Sequence, residues 1–407
     1  MGCDAASGYS EYSQLYKNED HCDTHLFTVT LAPLRLYEAG KTILYKNPHP
    51  SSTRSCRPVK LIWHKETPDL IKSVVGDMRA QIASLEPTRI GNIEIHHDVH
   101  MTMMDGKVIN TLTDTKCSKV CYICKAPPSA MNDLDQVKMR PVDQAALQYG
   151  IAPLHCHIRC FEYLLHIGYK IEAQARREEY PEIFEKLPRT ATKEEKTAHA
   201  EKKKKKLEEE EQLISEKKKK VQAAFWEKLG IHVDKVKQGF GSTNDGNTAR
   251  KFFANPEISA SILGLNENLL KRFSTLLTVI STTQEVDHAA FEKYAFDTAR
   301  LCVELYGWYI MPPTAHKLLL HGAAIMAALP LPAGQFSEEA QESSHKVCKK
   351  AKLDRTRKCS RENANEDLLH FLLVSSCPVV TSLFSKDAVK REYFLSDDVL
   401  SLLKSPS

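Results

Sequence analysis

A chain of 407 residues that is 42% hydrophobic and 27% charged can bury one or two sizeable cores and is not a disordered or fibrous protein. Its net charge of +4 means that any affinity for nucleic acid must come from clustered Lys and Arg. Twelve cysteines are too sparse for a secreted disulfide scaffold, and Met1 to Glu19 lack a signal-peptide pattern, which predicts a reducing compartment, nuclear or cytoplasmic.

In chain order, His25 to Arg35, Lys41 to Lys46 and Val59 to His64 are rich in β-branched and aromatic residues and predict strands. Leu70, Ile71, Val74, Val75, Met78, Ile82 and Leu85 recur at the helical period, and Pro87 ends that helix. A strand is expected from Asn92 to Met104, with Ile93, Ile95, Val99, Met101 and Met103 on the face that Asp105 shares. From Gln144 onward the periodicity is helical, as at Ile158 to Ile171, Ser259 to Ile280 and His288 to Tyr309. Lys193 to Lys220 alternates blocks of Lys and Glu with almost no apolar residues, which predicts a solvated helix or flexible arm ahead of a DNA-facing one. Gly239, Gly241 and Asn244 to Asn247 mark a loop within Val236 to Thr248. The apolar stretch Leu318 to Pro332 is interrupted by His321 and falls short of the roughly 20 residues that cross a bilayer, so no membrane is expected.

Cys121-Tyr-Ile-Cys124 is a CxxC, whose two thiolates can meet one metal or form a redox pair. Compact zinc fingers supply their second pair within about 20 residues, and none follows here. The most suitable distant pair is His316 and His321, which would staple the α/β part to the helical part; ordinary helix histidines are the equal alternative. Cys156, His157 and Cys160 lie on an apolar helix face and are expected in the core. His96, His97 and His100 are expected to be strand residues rather than ligands.

Two or three converging carboxylates can hold paired Mg²⁺ ions for phosphodiester chemistry, but acidic residues are abundant in any protein. Order along the chain is more specific. Cys3-Asp-Ala-Ala-Ser-Gly-Tyr-Ser-Glu-Tyr12, Met104-Asp-Gly-Lys-Val108, Cys121-Tyr-Ile-Cys124, Asn244-Asp-Gly-Asn-Thr-Ala-Arg250, Met311-Pro-Pro-Thr-Ala-His316 and Gly334-Gln-Phe-Ser-Glu-Glu-Ala-Gln-Glu342 resemble, in this order, Transib transposases, and the likeness continues through Arg357 to Arg361 and Asn365 to Asp367. That family is related to the large recombinase subunit of V(D)J recombination.

The resemblance implies an α/β chain with an RNase H-like core interrupted by a large, mainly helical, zinc-stapled insertion. It divides the chain into a first core part at 1–125, an insertion at 126–330 with a charged arm at 193–220, and a C-terminal helical part at 331–407. It implies an Asp4, Asp105 and Glu342 triad holding two Mg²⁺ or Mn²⁺ ions, and one structural Zn²⁺ on Cys121, Cys124, His316 and His321. Glu338, one turn before Glu342, competes for the third position. The implied function is a nuclear, dimeric DNA transposase and endonuclease acting on double-stranded DNA. It would nick transposon ends and form hairpins by transesterification. Asp4 stands near the start of the sequence, so its strand is expected to lack most of its N-terminal half, and Ala5 and Ala6 replace the family's more frequent Gly and Ser. The rival reading is an inactive nuclear DNA-binding protein of the same fold; a zinc-stapled interaction module is more distant. Lys349, Lys350, Lys352, Arg355, Arg357 and Lys358 are read as a phosphate-binding strip, a nuclear localisation signal or a solvated face.

Overall fold

The computed structural model describes residues 1–9, 23–39, 42–185, 187–188, 192–237, 241–336, 338–384 and 395–404. Ser10 to Tyr12 of the first motif, Lys41, Gly239 and Ser337 lie outside them. The elements, in order, begin with β1 (Gly2–Ser7), β2 (His25–Leu31), β3 (Arg35–Tyr37), β4 (Ile43–Lys46), β5 (Arg57–Ile62), α1 (Pro68–Ala83), β6 (Thr88–Ile90), β7 (Ile93–Ile95), β8 (Met103–Met104) and α2 (Gly106–Leu112). The helical body follows: α3 (Leu134–Lys138), α4 (Gln144–Leu147), α5 (Pro153–Glu179), α6 (Pro181–Phe184) and α7 (Lys193–Leu229). A small ribbon of β9 (Val236–Lys237) and β10 (Gly241–Ser242) leads to α8 (Gly246–Phe253), α9 (Pro256–Leu263), α10 (Glu267–Ser281), α11 (His288–Tyr306), α12 (Pro313–His316), α13 (Gly322–Ala328), α14 (Glu339–Asp354) and α15 (Arg361–Ser375).

The fold is mixed α/β. Its main sheet runs β5-β2-β1-β8, with β2 antiparallel to both β1 and β5 and β8 parallel to β1. Phe27 and Val29 enter the core beneath α1, whose Ile71, Val74, Val75 and Met78 are buried there. Leu26, one residue out of phase, turns to the opposite face and packs with Tyr9, Cys348, Ala351 and Leu368, which brings α14 and α15 onto that side. A strand covered on both faces reads as a run of buried residues rather than as a clean alternation, and β2 does so from Leu26 to Thr30.

β1 pairs with β2 along all six of its residues, with Asp4 opposite Thr28. Successive strand side chains alternate faces, and the Ala6 opposite Leu26 assigns the even-numbered residues of β1, Asp4 included, to the α14 side. Gly2 is required by close approach: a Cβ there would come within 1.9 Å of the Met103 carbonyl and 2.4 Å of Gln341 on α14.

The long strand expected from Asn92 to Met104 is not formed. Ile90 and Ile93 face solvent, the latter at 65% exposure, in a local hairpin of β6 and β7 turned by Gly91 at φ +59°. Only Met103 and Met104 reach the main sheet, so Ile93 and Ile95 do not form a buried ladder leading to Asp105. His96, His97 and His100 are accordingly loop residues, not strand residues; His97 contacts Thr88, and His100 lies 2.9 Å from Asp98.

Residues 193–229 form one continuous helix, α7, opened by a Thr192/Glu195 capping box and closed by Gly230 in the left-handed conformation at φ +59°. Its charged half is largely exposed, apart from Glu210, which accepts two hydrogen bonds from Arg177 of α5 at 2.7 and 2.6 Å. The predicted helix from Ser259 to Ile280 is two helices, broken where Gly264 adopts φ +73°. Cys156, His157 and Cys160 are buried on α5, with His157 Nδ1 2.9 Å from the Pro153 carbonyl of its own helix. One hydrophobic cluster runs from Cys3 through Cys121 and α5 to Leu402, so the sheet and helical body share a core. No single helix among the described residues is long and apolar enough to cross a membrane.

Candidate functional site

Two polar clusters sit where the sheet meets the helical body. In the first, Cys121 and Cys124 lie on a tight turn: the Lys125 amide donates to the Cys121 carbonyl at 2.9 Å, the Cys121 amide donates to the Ala126 carbonyl, and Lys125 takes φ +53°. His316 ends α12, and the five residues Lys317–His321 form a turn of π-helix before α13. In a regular α-helix two residues five apart diverge by about 140° around the axis. The wider π turn instead brings the His316 and His321 rings to 5.2 Å between centroids. Asn132 ties the two segments together, donating to the Gly307 and Tyr309 carbonyls and accepting from the Met311 amide.

All four side chains are buried, and one ligand atom from each lies within 4.8 Å of the others, with Cys124 Sγ 3.3 Å from His316 Nε2. His316 Nδ1 and His321 Nε2 have no hydrogen-bond partner. A hydrogen bond from Cys124, with further help from His316 and His321, holds the Cys121 thiol far below its ordinary range. Paired sulfur and imidazole donors around one point, with nitrogens left unsatisfied, fit a tetrahedral metal. The chain therefore carries a buried cluster that can hold a metal such as zinc.

The second cluster contains the three carboxylates. Asp105 follows Met104, and Met104 is opposite Cys3 in the parallel β1–β8 pair, so Asp4 and Asp105 occupy successive equivalent positions on neighbouring strands. Asp105 is also the N-cap of α2, accepting from the Val108 amide at 2.7 Å. From the other side α14 brings Glu342 and His345, whose Nε2 lies 3.5 Å from an Asp4 carboxylate oxygen. Burial, the negative charge of Asp105, and to a lesser extent Glu342 and Glu66 raise the Asp4 carboxyl to about 7.

Three participants went unread in the sequence. His155 bridges Glu338 and Glu342, with Nδ1 3.0 Å from Glu338 and Nε2 3.1 Å from Glu342. Glu338 also accepts the His155 backbone amide at 3.0 Å, so it caps the first turn of α5, where Ala152 offers no side-chain cap. Against the effect of burial, the two glutamates raise His155 to about 10, and His155 in turn keeps Glu342 below its ordinary value despite burial. The tandem Glu338 and Glu342 thereby separate in role: Glu338 is buried and holds His155, whereas Glu342 is 38% exposed beside Asp4. Glu66 binds Lys107 through one oxygen while its other oxygen is buried without a partner. His345 is lowered to about 4 by burial and the Lys349 charge, and its Nδ1 lies 2.8 Å from the Tyr9 hydroxyl. His155 stands immediately before the Cys156, His157 and Cys160 cluster; its position two residues into a helix with no capping side chain was the available signal.

The basic strip is not continuous. Lys352 is 2% exposed, donates to the Tyr9 carbonyl at 2.9 Å and sits over the Trp63 ring, so it is a core residue and not a DNA contact. Arg357 is paired with Asp367 and Glu366, Lys358 bonds the Lys352 carbonyl, and Arg355 lies over Phe371. Lys349 lies over the Tyr9 ring, and Lys350 is exposed on α14. Compared with known proteins, the chain matches no family model and no curated protein.

Proposed function

We propose that this chain is the catalytic core of a DNA transposase or recombinase of the Transib type, with an RNase H-like core. The observation that carries the reading is that Asp4 and Asp105 follow paired residues of neighbouring parallel strands while α14, which carries Glu342, reaches Asp4 through His345, so that positions 338 residues apart at the extremes lie on one side of the sheet. The β5-β2-β1-β8 order, with a parallel partner on one side of β1 and antiparallel strands on the other, supports the same reading.

Asp4, Asp105 and Glu342 would hold two Mg²⁺ or Mn²⁺ ions, which supply activation of the attacking oxygen and charge neutralisation at the leaving oxygen. Asp4, raised to about 7 by burial and the Asp105 charge, would have to be ionised to serve as a ligand. His155 keeps Glu342 ionised and fixes its carboxylate against α5, and Glu338 acts through His155. The same site would serve hydrolysis of one strand and attack by the freed 3′-hydroxyl on the other. The Cys121, Cys124, His316 and His321 cluster would hold a single structural zinc. The chain would act in the nucleus as a homodimer on double-stranded DNA.

Conversion of supercoiled plasmid to nicked circle in Mn²⁺ or Mg²⁺ is the direct test. Wild-type chain should nick, and Asp105→Ala and Glu342→Ala should not. A mutant that nicks at the wild-type rate overturns the triad, and DNA binding by a wild type that nicks in neither metal leaves the inactive DNA-binding protein.

A further inference from the structure

A cavity of about 610 Å³ opens beside the carboxylates, with Asp105 and His155 at its edge. It continues past the α2 terminus towards the segment that precedes the π turn. Four basic side chains line it: Lys107, Lys116, Arg159 and Lys317. Among the described residues, Asp105, which belongs to the site already described, is the only acidic one on its wall. Lys107 is paired with Glu66 and Arg159 with Glu162, but among the described residues no carboxylate pairs with Lys116 or Lys317. Lys317 instead rests its ammonium 4.1 Å from the centre of the Tyr122 ring. Pro312 and Pro313, both half-buried, give the wall apolar surface among the cations.

This division of charge is chemically specific. An acidic group suited to metal ions borders a compartment whose unpaired charges are positive, so a ligand that spans both must be anionic along its length. Pockets of about 300–1,000 Å³ enclose a molecule of drug size. A cavity in that range admits a nucleotide and excludes a duplex. An apolar wall receives a base, and lysines beside it receive the phosphates of an unpaired strand.

We infer that this cavity is a subsite for an unpaired nucleotide of the DNA strand that enters the carboxylate site. The inference rests on the phosphoryl-transfer reading for the identity of the ligand, and its test does not depend on catalysis. The full chain would be titrated against a fluorescent single-stranded oligothymidine and a blunt duplex, in buffer without added Mg²⁺ or Mn²⁺, over a range of salt. Lys116→Gln, an exposed position that leaves the core untouched, and Lys317→Gln should each weaken single-strand binding. Each should also flatten its dependence on salt by about 0.7 log unit per log unit of salt, the value for one lost phosphate contact on a single strand. Duplex binding should stay within twofold of wild type, a difference of about 0.4 kcal/mol. Unchanged single-strand affinity and slope in Lys116→Gln and Lys317→Gln overturn the subsite, as does an equal loss on single strand and duplex. Loss confined to the single strand supports it even if the chain fails to nick, whereas nicking with unaltered single-strand binding removes the subsite and leaves the catalytic reading standing.

Discussion

The two polar clusters are assembled in the same manner and finished differently. Each joins early residues to residues some two to three hundred positions later, and each lies at the junction of sheet and helical body. The Cys121, Cys124, His316 and His321 cluster is closed: all four side chains are buried, and Asn132 ties its two segments together. The Asp4, Asp105 and Glu342 cluster is open: the Asp4 and Glu342 side chains are 23% and 38% exposed, and a cationic cavity adjoins it. A closed set of thiolate and imidazole donors suits a metal that holds the fold, whereas hard oxygen donors at a partly exposed edge can share metal ions with a phosphate.

The largest effect should separate the clusters most clearly. Cys121→Ser and His321→Ala should each lose bound zinc and destabilise the whole chain by several kcal/mol, since a metal that bridges distant segments contributes folding free energy. Metal analysis with thermal unfolding measures this, and unchanged zinc content in both variants would exclude the cluster as the site. Asp105→Ala and Glu342→Ala should do the reverse, abolishing metal-dependent nicking while far-ultraviolet circular dichroism stays that of wild type. Asp105 also caps α2, so Asp105→Asn, which keeps a capping oxygen, is the cleaner variant; loss of the cap alone is worth about 1 kcal/mol.

A smaller effect is expected behind the carboxylates. His155→Ala should slow nicking by about 10- to 100-fold, the range for groups that orient metal ligands, and weaken the apparent affinity for Mn²⁺. Glu338→Gln should produce a milder form of the same change, because it keeps an oxygen for the α5 amide but loses the charge that holds His155 protonated. A His155→Ala enzyme with wild-type metal dependence would reduce His155 to a packing residue.

The remaining effect is a pH dependence. Asp4 is raised from 3.8 to about 7 by folding, so the native chain binds this proton more tightly than the unfolded chain. Stability from this group is therefore lost as pH rises from about 4 to about 7 in the absence of added metal, because ionising Asp4 beside Asp105 is opposed by burial and like charge. Melting temperature measured across that window should fall, and Mn²⁺ should remove the fall; an identical profile in Asp4→Asn would assign it to another group.

Much of the donor inventory was legible in the linear sequence because spacing limits geometry over short distances. A CxxC on a tight turn and two glutamates one helical turn apart are local facts. The apolar run of β2 and the period of α1 are equally local, and the structure forms both elements. Local patterns misled where a second local solution competed. Ile93 and Ile95 alternate as a buried strand would, but Gly91 permits a hairpin and leaves Ile93 exposed.

The sequence by itself offered soft donors at Cys121, Cys124, His316 and His321 and the charged surface of α7, whereas the proposed carboxylates at Asp4, Asp105 and Glu342 were singled out by a family resemblance. Tertiary structure alone decided which of them meet. It turned the five-residue interval between His316 and His321 into a shared face through a π turn, gave Glu338 the uncapped end of α5, and drew His155 between two glutamates. It also buried Lys352 against Trp63 and the Tyr9 carbonyl, although Lys350 on the same helix remains exposed. The physical reason is that periodicity assigns a side chain to a face of its own element, while partner, charge state and exposure depend on what the rest of the chain packs against that face.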